Sequence, residues 1–386
     1  MIINKRSETG LSSFHVVFEG SVMNEKPGWY GLSHLMEHLV CKGFEHLQDD
    51  FQRYDIKWNA YTSSTNIVFY IKGLDEYIQK YKDEFLKGIL TYNVTDEELQ
   101  HEKLIILEEY KDSFNSQLSN HYLNLYRKKY GIYLPIGERD NILNYTIDDA
   151  KSYQYLYLKN PTLIANVSKY NIYENEDIKF RKPVTGEPIR LLEDPVFRKI
   201  TTEINESEIK DAIPLELTNE FKSKESIIYM SSLINKDHNK VNFICRMLSD
   251  GLNSPLYKEV REKSGLAYYV TCFVNQLNHN TSNVIIATET SPDNTEKVKE
   301  KINEILSNKE KFLTKDRFKL IKENLLVRTK TEDILLHDYT EQLYKNPEFN
   351  INTIVNSITL DEVYEIFNDV FSLENLYTSV YSEEFK

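Results

Sequence analysis

Residues 31–39 read Gly31-Leu32-Ser33-His34-Leu35-Met36-Glu37-His38-Leu39. Leu32, Leu35, Met36 and Leu39 recur at helical spacing, so the segment predicts a helix with one apolar face. At 3.6 residues per turn, His34 and His38 stand one turn apart on the same side, where both imidazoles can reach one ion. Glu37 completes an HxxEH pattern and projects beside the pair, where a carboxylate could take a proton from a water. Ahead of it, Phe14 to Phe18 is aromatic and β-branched and reads as a short strand.

Working outward, Ile56 to Ile71 reads as strand around a polar Thr-Ser-Ser-Thr middle, and helices are expected from about Asp75 and Asp96. Thr95 with Glu98 three residues on predicts a capping box for the second of these. The stretch Tyr173 to Asp194 contains Pro183, Gly186 and Pro188 among alternating charges, and reads as a connection between domains. Beyond it the order of elements recurs. A strand is expected near Ile227 to Met230, a helix through Phe243 and Met247, and strands at Ala267 to Val274 and Val284 to Thr288. A helix with Val298, Ile302 and Ile305 on one face follows, then another begun by Thr359 and Glu362 as a second capping box. The expected fold is α+β: two similar α/β-sandwich domains, 1–182 and 183–386, each an antiparallel-rich sheet with helices on one face, related as a duplication.

The chain has 386 residues, enough for two such cores, and 40% hydrophobic residues with which to fill them. Its net charge of −13 disfavours a phosphate backbone as partner, and no basic stripe overrides that field. The opening residues hold no apolar core like that of a secretory signal, and no run approaches the length needed to span a bilayer, so a cytoplasmic protein is expected. Cys41, Cys245 and Cys272 are too few and scattered for a disulfide framework or a cysteine zinc cage. A metal here must be held by His, Asp or Glu. The dispersed glycines form no phosphate-binding loop.

Catalytic zinc takes three protein donors and keeps a fourth position open. The helix begun by Thr95 offers two candidates for the third donor, Glu102 and Glu109, nearly two full turns apart and so on one face.

With these residues the chain resembles the pitrilysin/insulinase family of zinc peptidases, whose members carry HxxEH, a distant Glu as third ligand and another Glu seven residues before it. The resemblance implies that His34, His38 and Glu109 bind Zn²⁺, that Glu37 is the catalytic base, and that Glu102 assists. Glu108 is the alternative third carboxylate. Gly20-Ser21 and Asn24-Glu25 are similar to the family's turn before the motif. Asn59-Ala60-Tyr61-Thr62 is similar to its substrate-binding edge strand, and Tyr130 to Asn141 to its loop after the ligand helix. Leu256 to Tyr268 resembles the C-terminal segment in which an Arg and a Tyr, here Arg261 and Tyr268, face the zinc.

What the resemblance implies is a zinc metallopeptidase cleaving unfolded peptides within a closed chamber, as a homodimer or with a related subunit. The alternative is a non-catalytic scaffold, or the partner subunit of a heterodimeric processing peptidase. His15, His46, His101, His121, His238, His279 and His337 lack partners at ligand spacing and read as structural or surface residues, with His101 able to support Glu102.

Overall fold

A computed structural model describes residues 1–7, 9–115, 134–173, 178–181, 225–276, 281–331, 350–372 and 376–381. They fall into two compact units: the described residues up to 181, apart from Asn115, make the first, and those from 225 on, with Asn115, the second. The expected boundary at 182/183 lies outside the described residues, as do most of Tyr173 to Asp194, residues 130–133, and His121, His279 and His337.

The first unit runs β1 (Ile2–Arg6), β2 (Leu11–Phe18), α1 (Leu32–Cys41), α2 (Gln48–Arg53), β3 (Lys57–Thr62), β4 (Ile67–Leu74), α3 (Asp75–Thr91), α4 (Asp96–Asn115), α5 (Arg139–Asn144), α6 (Ile147–Tyr153) and β5 (Leu163–Ser168). Its sheet has the order β1-β5-β2-β4-β3, with β1 parallel to β5 and every other pair antiparallel. Alternation along β2 decides which face meets the helices. Phe14 points to Phe85 of α3, which also meets Phe44 and Phe51, while Val17 joins Ile3, Val68 and Leu163 on the opposite face. The β1 strand has no counterpart in the sequence reading. Its Asn4, Lys5 and Arg6 hide a pairing that only Ile3 anchors inside.

The Thr95 capping box forms with both reciprocal bonds, Glu98 N–H to Thr95 Oγ1 at 3.3 Å and Thr95 N–H to Glu98 Oε2 at 3.2 Å. After α1 the chain crosses α3 with Gly43 against Gly88. A Cβ on Gly43 would lie 2.2 Å from the Gly88 carbonyl oxygen, so the backbones meet where only glycine fits.

The second unit runs β6 (Ser226–Ile234), α7 (His238–Ser249), β7 (Tyr269–Gln276), β8 (Ser282–Thr290), α8 (Thr295–Ser307), α9 (Lys315–Thr331), α10 (Ile351–Ser357), α11 (Leu360–Phe371) and β9 (Tyr377–Tyr381). Its sheet order is β7-β8-β6-β9, all antiparallel. Matching β6, β7, β8 and β9 to β2, β3, β4 and β5 gives the same four-strand order in both units, the topology of a repeated plan. Val298, Ile302 and Ile305 of α8 share one core with Ile228, Met230, Ile244 and Phe367.

Two sequence expectations shift here. Glu362 donates its N–H to Thr359 Oγ1 at 3.2 Å, but its carboxylate goes to Lys240 instead of closing a second box. The strand expected at Ala267 begins at Tyr269, because a π-helical turn, Tyr257–Glu262, and the coil after it occupy the preceding residues. No described helix is long and apolar enough to cross a membrane.

Candidate metal centre and active site

The site is built on α1, and α1 is fixed first at its N-terminus. The buried Glu25 carboxylate accepts from Gly31 N–H at 3.0 Å, Ser33 N–H at 2.8 Å and Ser33 Oγ at 2.6 Å. An anion there satisfies first-turn donors and faces the positive end of the helix. Gly31 has φ +99°, and a Cβ on it would meet Gly137 Cα at 2.9 Å, so the entry turn requires glycine. Leu32, Leu35, Met36, Leu39 and Val40 are buried, and this packing sets which way His34, Glu37 and His38 point.

The two imidazoles meet edge to face, with ring centroids 4.9 Å apart. Across from them on α4, Glu109 brings Oε2 to 3.6 Å from His34 Nε2 and Oε1 to 3.7 Å from His38 Nε2. Among the described residues His34, His38 and Glu109 are the one group of three metal-ligating side chains whose donor atoms lie within 4.8 Å of one another. Donors about 2.0–2.1 Å from a tetrahedral zinc sit roughly 3.3 Å apart, so the spacing fits with small side-chain adjustments. Two imidazoles and a carboxylate are also a common donor set for catalytic zinc.

Glu102, on the same face of α4, lies elsewhere in the arrangement. Its Oε2 is 3.2 Å from His38 Nδ1 and its Oε1 is 3.2 Å from Lys42 Nζ. A carboxylate on Nδ1 fixes the ring and leaves Nε2 for a metal. His34 Nδ1 is buried with no hydrogen-bond partner among the described residues. Glu108 is 71% exposed and pairs with Lys111 at 2.6 Å, turned outward from the group. His101 is exposed, with Nδ1 3.6 Å from Glu102 Oε1.

The charges follow from these contacts. Burial, reinforced by the His38 charge, lowers His34 to about 4, so its ring is neutral at pH 7. Burial also works against protonated His38, but the Glu102 hydrogen bond and the charges of Glu109 and Glu37 outweigh it and raise the pKa. The His38 bond, with help from Lys42, lowers Glu102 to about 2 against the pull of burial. Glu37 is buried, 8% exposed, and burial raises its carboxyl despite the hydrogen bond from Thr62 Oγ1 to Oε2 at 2.7 Å. Cys41, on the last turn of α1, has its thiol pushed up by burial and by the nearby carboxylates.

Asn59, Ala60, Tyr61 and Thr62 lie on β3, the edge strand, whose outer side no described strand pairs. Arg261 and Tyr268 belong to the second unit. The Arg261 guanidinium lies 4.7 Å from the ring centroid of Tyr268, which is 79% exposed, and 4.8 Å from that of Tyr257.

Sequence reasoning did not assign the contacts of Lys42, Tyr257 or Glu25, nor the use of the Thr62 hydroxyl on Glu37. Lys42 lies four residues after His38 and Tyr257 four before Arg261, so helical spacing was a usable signal for both. Glu25 and Thr62 touch α1 only through tertiary folding.

Two family profiles match the chain, "Insulinase (Peptidase family M16)" over residues 1–132 and "Peptidase M16 inactive domain" over residues 195–325. The zinc protease PqqE of Helicobacter pylori is 24% identical over 280 residues, 68% of this chain and 61% of that protein. An uncharacterized zinc protease of Bacillus subtilis, YmxG, is 26% identical over 273 residues, 64% of this chain and 61% of that protein. The chain therefore spans about three-fifths of the length of these relatives. The crystal structure of a protease from Helicobacter pylori superposes with a TM-score of 0.75 at 19% identity, covering 98% of this chain and 96% of that one, which establishes the shared two-domain fold.

Proposed function

The chain belongs to the insulinase family, peptidase family M16, and from that premise we propose that it is a zinc metalloendopeptidase cleaving unfolded peptides. The observation that carries the proposal is the convergence of His34 and His38 on α1 with Glu109 on α4, and Glu37 buried beside them. All of these residues lie outside 195–325, the segment matched by the profile described as inactive.

His34, His38 and Glu109 would hold the ion, which when bound supplies Lewis acidity that activates a water and polarises the scissile carbonyl. Glu37 takes the proton of the attacking water and returns it to the leaving amine. Its raised pKa suits both halves of that exchange. Glu102 holds the His38 ring through Nδ1, which is a positioning task. The outer edge of β3, which no described strand pairs, accepts the peptide as an added strand, so main-chain hydrogen bonds set its register at Asn59 to Thr62. Arg261 and Tyr268 offer donors to the substrate backbone or the developing oxyanion. A homodimer enclosing a chamber that admits flexible peptides, in the cytoplasm, completes the reading. The presence of three free cysteines suits a reducing compartment.

The test is a tryptic digest of reduced serum albumin incubated with zinc-loaded wild type, with Glu37→Gln, and with wild type plus a chelator, read by mass spectrometry. New cleavages are expected with wild type alone, with zinc content equal in wild type and Glu37→Gln. Undiminished cleavage by Glu37→Gln removes the base from the mechanism. Absence of any cleavage by zinc-loaded wild type favours the scaffold or partner-subunit alternative.

A further inference from the structure

Thr62 is the last residue of β3 and shares the helix-facing side of the strand with Ala60 and Trp58, whose ring packs edge-on against Phe44 at 5.3 Å. The side chain of Thr62 is thereby aimed at α1 and away from the outer edge where a peptide would pair. Its hydroxyl donates to Glu37 Oε2 at 2.7 Å, and among the described residues it is the one hydrogen-bond donor to that buried carboxylate. The turn that follows is tied down. Ser63 Oγ accepts from Thr65 N–H at 3.2 Å and Asn66 N–H at 3.0 Å, Met23 N–H donates to Ser64 O at 3.1 Å, and Ser21 Oγ donates to Ser63 O. The hydroxyl is held by the sheet on one side and by this anchored turn on the other.

We infer that Thr62 is a positioning residue for Glu37. Its O–H occupies Oε2, fixes the rotation of the carboxylate about its last side-chain bond, and leaves Oε1 as the oxygen available to the attacking water. A terminal sp² torsion such as this has a broad energy well, so without the hydrogen bond the carboxylate samples orientations that cannot accept the proton. The inference rests on the general-base reading of Glu37, and it gives the Thr62 side chain a task separate from the main-chain pairing of β3.

The experiment compares Thr62→Val, which keeps the β-branched shape, with Thr62→Ser, which keeps the hydroxyl. Zinc content is measured on each, together with kcat and KM on one peptide from the albumin digest resynthesised with a fluorophore and quencher. Infrared difference spectra of the carboxylate stretch are recorded for the same proteins and again in the Glu37→Gln background. Thr62→Val should retain zinc, lose roughly 10- to 100-fold in kcat with KM within about twofold, and shift a carboxylate band that is absent from the Glu37→Gln background. Thr62→Ser should recover most of the lost kcat. An unchanged kcat, a rise in KM alone, or Thr62→Ser no better than Thr62→Val overturns the inference. If wild type cleaves nothing, the peptidase reading fails by itself, and the infrared comparison then decides whether Thr62 holds Glu37: no band shift means that it does not.

Discussion

Glu25→Gln tests whether α1 is fixed from its N-terminus. The carboxylate takes three hydrogen bonds from two residues, at 3.0, 2.8 and 2.6 Å, in a buried position. Glutamine keeps the size and loses one acceptor: whichever way the amide is turned, its NH₂ faces a donor of Gly31 or Ser33. Leaving one buried donor unsatisfied costs about 1–3 kcal/mol. Removing the anion from the helix N-terminus costs about 0.3–2 kcal/mol more. A combined loss of about 1.3–5 kcal/mol corresponds to a roughly 10- to 5,000-fold more populated opening of the first turn, and exchange faster by the same factor. Hydrogen exchange read by mass spectrometry on chelated protein should show that acceleration in peptides covering residues 29–39, with α3 peptides as the internal reference. Exchange within about threefold of wild type would refute the capping argument, and so would equal acceleration of α3, since the loss would then be global.

Glu109→Gln should lower zinc occupancy by elemental analysis, whereas Glu108→Gln should not, because Glu108 is turned to Lys111. Arg317 is buried and donates to the carbonyls of Met247 at 3.0 Å, Arg246 at 3.0 Å and Asp250 at the end of α7, so Arg317→Met should cost the second unit about 2–4 kcal/mol, read as a shifted urea midpoint. Burial works against the charged Glu98 carboxyl, but bonds from the Thr95 and Tyr92 hydroxyls and the Thr95 N–H outweigh it and hold the pKa below its usual 4.5. A depressed carboxyl contributes stability that is present above pH 4.5 and lost as pH falls toward the folded value, so the thermal midpoints of wild type and Glu98→Gln should converge as pH drops below 4.5. A gap that stays constant down to full protonation contradicts that linkage.

What the sequence made legible was local. His34 and His38 are one turn apart on any α-helix, the Thr95 box is a three-residue signal, and Val298, Ile302 and Ile305 announce a buried face by spacing alone. Glu109 could be proposed from the chain only as one of two acids on a helix face; its approach to both imidazoles depends on how α4 packs. The same holds for Thr62 on Glu37 and Glu25 on Gly31 and Ser33, contacts between segments whose separation along the chain carries no periodic signature. Strand β1 escaped because its polar residues mask a parallel pairing with β5, more than 150 residues away. Tyr268 read as strand because the π-helical turn before it displaces the start of β7, a change of pitch that side-chain patterning does not reveal.

The repeated strand order has a chemical corollary. In the second unit α7 occupies the place that α1 has in the first, between the first and second strands of the shared plan, yet it turns Val241, Ile244, Cys245 and Leu248 inward and presents no pair of imidazoles. The core that α7 joins is packed from hydrocarbon and sulfur side chains such as Ile228, Met230, Phe243, Met247 and Cys272. The metal-ligating side chains on α1 are thus additions to a strand plan that the second unit builds without their counterparts on α7.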